Sequence, residues 1–266
     1  MRLTLVTWAR LGPMGEARQR RAIVHIGTHK TGSTSLQYWL AQHAAELEKD
    51  HHLGVYRPIH PNGRELALLC ANPDRSIPTI REIPEWRTES WRTPTWGHVR
   101  SEIDRGDEVL FLSNETLSLL RSTAELERLA ELLAPRVVDV VLVTRQPAEF
   151  LRSWREQLTR DGFTPSQDRH SFAYLESDSW LVDYDEIVRA NGAVFGPDHV
   201  HVVDYDEAMA AFGSIIPAVM ATCGLEVSKL PEWSTVRRNR GTRAHPNASP
   251  SGWRRVARLL RRMLAQ

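Results

Sequence analysis

The stretch Ile23-Val24-His25-Ile26-Gly27-Thr28-His29-Lys30-Thr31-Gly32-Ser33-Thr34-Ser35-Leu36 limits what this chain can fold into more than any other part of it. A β-branched run enters a loop carrying Gly27 and Gly32, and hydroxyl residues then open a run with helical spacing. The two glycines have the G-x-x-x-x-G spacing in which backbone N–H groups and a helix N-terminus surround a phosphate. In loops that bind ATP or GTP a lysine follows the second glycine. Here Ser33 stands there, and the lysine sits inside the loop as Lys30. The loop therefore keeps a cation for a phosphate but departs from the magnesium-nucleotide pattern. Leu36, Leu40, His43 and Leu47 recur at helical spacing and predict a helix with one face laid on a sheet. Ser33, Thr34 and Ser35 fall in its first turn, where hydroxyls cap amides or reach an anion. Without a ligand, the same residues read as a Gly-Ser turn that caps an ordinary helix.

At 266 residues and 41% hydrophobic content the chain can bury a full core without staples. The expected organisation is an exposed lead-in over 1–21, one domain over 22–236 and a basic segment over 237–266. The formal charge is 34 minus 33, or +1, so the total gives no general attraction to nucleic acid or an acidic membrane. The distribution is uneven: Arg237, Arg238, Arg240, Arg243, Arg254, Arg255, Arg258, Arg261 and Arg262 follow one another with no acidic residue between them. Such a run is commonly a solvated helix face or tail. Cys70 and Cys223 have neither metal-ligand nor redox spacing, which points to a reducing compartment. The apolar run from Met1 to Trp8 is too short for a membrane span. The expectation is a cytoplasmic protein without a transmembrane segment.

From about 51 to 99 periodicity fades, and Pro58, Pro61, Pro73, Pro78, Pro84 and Pro94 break the chain. This predicts an insertion of loops and short helices, of the kind that serves as a functional lid or binding loop. Trp86, Trp91 and Trp96, spaced five apart, suit neither helix nor strand and are expected to pack on the core. Val109-Leu110-Phe111-Leu112 is the short apolar run of a buried parallel strand, ending at Ser113-Asn114-Glu115. Ser122 and Glu125 form a capping box for a helix over 123–133, closed before Pro135. Val137 to Val143 predicts a further strand that ends at Thr144-Arg145, with a helix from Ala148 to Arg160. Helices near 179–190 and 208–223 flank a strand at 199–203. Strands alternating with helices argue for a three-layer α/β fold with a mainly parallel sheet, in which ligands sit at the carboxyl ends of the strands. His29 with Lys30, Glu115 and Arg145 all fall at such ends. Lys30 and the loop amides can hold one phosphate. Arg145 can hold a second, joined by Ser153 eight residues on.

His-Ile-Gly-Thr-His-Lys-Thr-Gly-Ser-Thr-Ser-Leu-Gln at 25–37 resembles the 5′-phosphosulfate loop of sulfotransferases that use 3′-phosphoadenylyl sulfate (PAPS), above all bacterial ones. Arg145 and Ser153, after an apolar strand, resemble that family's 3′-phosphate motif. Leu181-x-Asp183-Tyr184, Phe195-Gly196 and Val202-x-Asp204-Tyr205 extend the likeness, which runs from about Ala22 to Leu225 and more loosely to Asn247. The resemblance implies a P-loop-like fold and in-line transfer of a sulfuryl group to a hydroxylated small molecule, glycan or lipid. It implies donor contacts from His29, Lys30, Thr31, Gly32, Ser33, Thr34, Ser35, Arg145 and Ser153, and no metal. It also suggests Arg238 and Arg240, which stand where relatives close a basic, glycine-containing loop over the nucleotide.

Lys30 would stabilise charge on the leaving oxygen. For the general base the chain departs from cytosolic members, which carry a histidine at the end of the strand before the 3′-phosphate strand. Ser113-Asn114-Glu115 stands there instead. Some glycan-modifying relatives use a glutamate, which makes Glu115 the first candidate and His60, in the proline-rich stretch, the second. His29 is better suited to shaping the loop. Two other functions stay open: a magnesium-dependent nucleotide kinase, against which Ser33 argues, and a catalytically silent nucleotide-binding module that recruits an acidic partner through the basic tail.

Overall fold

A computed structural model describes residues 19–233. Five strands form one all-parallel sheet in the order β2-β3-β1-β4-β5. They are β1 (Arg21–His25), β2 (Leu53–Val55), β3 (Val109–Ser113), β4 (Val137–Thr144) and β5 (Val200–Asp204). Eight α-helices accompany them among the described residues: α1 (Ser33–His51), α2 (Arg64–Cys70), α3 (Glu89–Ile103), α4 (Thr123–Leu133), α5 (Pro147–Arg160), α6 (Tyr184–Phe195), α7 (Tyr205–Phe212) and α8 (Ile216–Thr222). None of them is long and apolar enough to cross a membrane.

The strands bury both faces, as their unbroken apolar runs require. Ala22, Val24, Leu110, Leu112, Val138, Val140 and Leu142 point into one core with α2 to α6. The alternate residues Ile23, Phe111, Val141, Val143 and Val203 point into the other, against Leu36, Trp39, Leu40 and Leu47 of α1 and Val219 and Met220 of α8. Each such large side chain, when fully buried, stabilises the fold by about 1.5–3 kcal/mol. The three-layer arrangement follows from this two-sided alternation.

Several elements differ from the sequence expectations. The stretch 51–99 contains an edge strand of the sheet, β2, and most of a helix of 15 residues, α3, which runs on to Ile103, rather than loops and short helices alone. Pro94 is the sixth residue of α3, and β2 has only three residues, so neither shows a full period in the sequence. Trp91 and Trp96 are both on α3; Trp86 and Trp91 are buried in the core and Trp96 packs against that core, as the core role requires. The helix expected near 179–190 begins at Tyr184, after Asp183 caps it through Glu186 N. The run 208–223 is two helices, separated at Gly213, whose φ of 68° ends α7. The capping box of Ser122 and Glu125 is present as expected.

Candidate active site

β1 and β4 are neighbours, yet the helices that follow them leave on opposite faces of the sheet. The chain therefore splays apart at their carboxyl ends and opens the crevice where α/β sheets hold ligands. The loop 26–32 sits there. Ile26 N donates to Val141 O (2.9 Å) and Thr28 N to Val143 O (3.1 Å), which carries the β1–β4 pairing past the end of β1. Thr31 Oγ1 then donates to Thr28 O at 2.5 Å and closes the loop on itself. Lys30 and Gly32 take left-handed backbone, with φ of 68° and 86°. Glycine does so without strain, whereas the lysine costs about 1–2 kcal/mol that the surrounding bonds must offset. Gly27 has another reason: a Cβ there would run into the His25 imidazole.

α1 starts unlike α4, α6 and α7. Those carry side-chain caps from Ser122, Asp183 and Asp204 and acids in their first turns, whereas Gly32 offers α1 no side-chain cap and its first turn holds no acid. Ser35 N and Leu36 N bond back to Gly32 O. The amides before them are left for another acceptor, with the positive end of the helix dipole behind them. Of the eleven buried side-chain polar atoms without a hydrogen-bond partner among the described residues, four lie on this loop or beside it. They are His25 Nε2, His29 Nε2, Ser33 Oγ and Arg145 Nε. Buried polar groups are otherwise nearly always paired, so this concentration suits a polar, anionic ligand.

Arg145 reaches the loop from the end of β4, donating through Nη1 to Lys30 O at 3.3 Å. Its guanidinium lies 4.9 Å from the Tyr205 ring centre and 3.7 Å from Glu149, and Tyr184 Oη donates to its carbonyl at 2.7 Å. Burial holds the Lys30 ammonium below its usual range; Arg160 and Arg145 push the same way, Glu156 and Asp161 oppose. No carboxylate pairs with it among the described residues, so its charge is available to an anion. His29 stacks on Trp154 of α5 at 4.3 Å and 16°. Burial lowers its pKa to about 4, against an opposing pull from Glu115. Burial likewise lowers His25 to about 3. Both imidazoles are neutral near pH 7. Ser153 precedes Trp154 on α5, half-buried, and no hydrogen bond joins it to Arg145.

Glu115 stands two residues beyond β3, on the other flank of β1. Its Oε2 accepts from Gln37 Nε2 at 3.0 Å and its Oε1 from Asn62 Nδ2 at 3.4 Å. Asn62 is buried in a turn whose carbonyl accepts from Asn114 Nδ2 at 2.7 Å. The same segment carries His60, whose Nε2 accepts the Trp91 indole N–H at 3.2 Å with the rings stacked at 5.7 Å. Glu65 anchors it, accepting from Tyr56 Oη (2.7 Å), Ile59 N and His60 N. Burial pushes the Glu65 carboxyl up, and these donors pull it back.

The structure thus gathers His29, Lys30, Thr31, Gly32, Ser33 and Arg145 at one crevice, with Thr34 and Ser35 in the first turn of α1 and Glu115 at its edge. Arg238 and Arg240 lie outside the described residues. Gln37, Asn62, Trp154 and Tyr184 did not emerge from the sequence as site residues. Gln37 had a signal: four residues after Ser33, it lies one helical turn above the anion loop.

No known protein-family model matches the chain, and no curated protein does. Among solved structures, a sulfotransferase from Alicyclobacillus acidocaldarius aligns over 92% of this chain and 93% of its own, with TM-score 0.53 and 16% identity. The sulfotransferase domain from the curacin biosynthetic pathway aligns over 84% of this chain and 80% of its own, with TM-score 0.47 and 14% identity, too low to carry an argument. The first likeness, running nearly end to end in both chains, establishes a shared architecture: this chain has a sulfotransferase fold.

Proposed function

We propose that the protein transfers the sulfuryl group of 3′-phosphoadenylyl sulfate to a hydroxyl of a carbohydrate, lipid or small metabolite. One observation carries this reading: the uncapped, acid-free start of α1 meets two cations, Lys30 from its own loop and Arg145 from the end of β4. That pairing suits a donor with two separate phosphates. Thr31, Gly32, Ser33, Thr34 and Ser35 would hold the 5′-phosphosulfate, with His29 packing the loop from behind. Arg145 and Ser153, together with Arg238 and Arg240, would hold the 3′-phosphate.

In the transfer, the acceptor oxygen bonds to sulfur while the sulfur–oxygen bond to the 5′-phosphate breaks. The electron pair leaves with adenosine 3′,5′-bisphosphate. Lys30 and the first-turn amides of α1 meet the charge that grows on that oxygen. Glu115 takes the acceptor proton. His60 is less suited to that step, because its Nε2 lone pair already accepts from Trp91. Fixed cations and amides meet the charge of the leaving phosphate, so the residues call for no metal. The acceptor side is the insertion over about 51–99, whose Asn62 reaches Glu115. Cys70 and Cys223 are free thiols on opposite sides of the sheet.

The test is transfer of labelled sulfate from the donor to a panel of hydroxylated sugars, lipids and phenols. Wild-type protein should label at least one class, and Glu115→Gln should lower the rate by about 10²-fold or more. Magnesium-dependent ATP turnover without sulfate transfer would favour a kinase. Nucleotide binding with no turnover would favour a silent module that recruits an acidic partner.

A further inference from the structure

Gln37 closes the 25–37 stretch that resembles the donor loop but has no assigned part in holding donor or acceptor, and it lies between the two halves of the site. It stands in the second turn of α1, the helix whose first turn faces the anion crevice. Its Nε2 donates to Glu115 Oε2 at 3.0 Å, to Ser113 Oγ at 3.2 Å and, at the limit of bonding, to Ser113 O at 3.4 Å. A carboxylate and a carbonyl can only accept, so the amide nitrogen, and not its oxygen, must face them. Ser113 is itself fixed, with Oγ 2.9 Å from Nδ1 of the fully buried His25. His25 is the last residue of β1 and pairs with Ser113 across the sheet. The carboxylate of Glu115 is therefore tied, through one amide, to the strand end and the helix that build the anion loop. The second amide, Asn62, comes from the opposite, acceptor side and is longer, at 3.4 Å.

We propose that Gln37 is a positioning residue that holds the Glu115 carboxylate at the edge of the anion crevice, so that donor and proton acceptor are registered by one helix. The proposal rests on the assignment of Glu115 as the base. Charge-assisted bonds of this kind are the stronger ones, and a displacement of about 1 Å at a reacting group can lower a rate by about 10²-fold.

Two variants separate orientation from folding: Gln37→Leu removes the donor at similar volume, and Gln37→Glu sets a second carboxylate against the first. Carbon-13 NMR of the Glu115 carboxyl, assigned by its absence in Glu115→Gln, needs no turnover. Its resonance should move in both variants while the unfolding midpoint in urea changes little; an unmoved resonance overturns the proposal. If Gln37→Leu fails to fold, the same spectrum of Gln37→Glu decides. The rate of sulfate release from the labelled donor to water gives the second arm. Gln37→Leu and Glu115→Gln should each slow it, and the double variant should be no slower than Glu115→Gln alone. Multiplying effects would mean that Gln37 acts elsewhere, and would also overturn it. A wild-type protein that releases no sulfate counts against sulfuryl transfer, while the NMR arm still decides the role of Gln37.

Discussion

At the scale of single residues, the crevice is lined by groups that burial has made neutral or left without a partner. His29 shows the consequence for stability. Its folded pKa of about 4 lies below the ordinary histidine value of 6.5, so between those values the unfolded chain binds a proton that the native protein does not. Stability is complete above pH 6.5 and falls as the pH drops toward 4, by about 1.4 kcal/mol per unit for one such group. His25 adds an equal slope that continues to about pH 3. His29→Phe keeps the stack on Trp154 and removes the titration. Urea unfolding at a series of pH values should show the slope between about pH 4 and 6.5 reduced by about one proton; an unchanged slope would mean that the His29 ring is not buried as a neutral group. This titration was not legible in the sequence, where His29 is simply one loop residue among polar neighbours. Its burial comes from Trp154, 125 residues further along the chain.

At the scale of elements, α1 gives up the local stability that α4, α6 and α7 gain from caps and first-turn acids. Thr34→Asp, at the second helical position, tests whether that loss serves binding. A carboxylate there should raise stability by about 0.3–1 kcal/mol through the helix dipole. The same charge should lower affinity for adenosine 3′,5′-bisphosphate by about tenfold or more. Urea unfolding and calorimetry on one preparation read both, and a variant that binds as well as wild type would show that the amides face no anion. The start of α1 was legible because glycine spacing, hydroxyls and helical periodicity follow one another directly over 23–47. β3, β4, α4 and α5 were legible for the same reason, each carrying its own period and its own stop. β2 and α3 were not. A strand of three residues is recognised only by the β3 backbone it pairs with, and Pro94 masks a helix that tertiary packing of Trp91, Val99 and Ile103 sustains.

At the scale of the whole molecule, one topological fact arranges the site: β1 lies between β3 and β4, and the chain leaves β1 and β4 on opposite faces. Alternating strands and helices suggested a parallel sheet, and the strand order then set Glu115 on one flank of the loop and Arg145 on the other. The residues at strand ends could be read from the sequence, since each follows an apolar run directly. The groups that join them could not, because Gln37 meets Glu115 and Trp154 meets His29 only across the assembled layers. The central claim is that the loop and Arg145 together hold a nucleotide with two phosphate positions. Titration calorimetry of adenosine 3′,5′-bisphosphate without magnesium tests it most directly. Binding by the wild-type protein, weakened about ten- to a hundredfold in both Lys30→Ala and Arg145→Ala, is the predicted result; no binding, or binding indifferent to both substitutions, would contradict it.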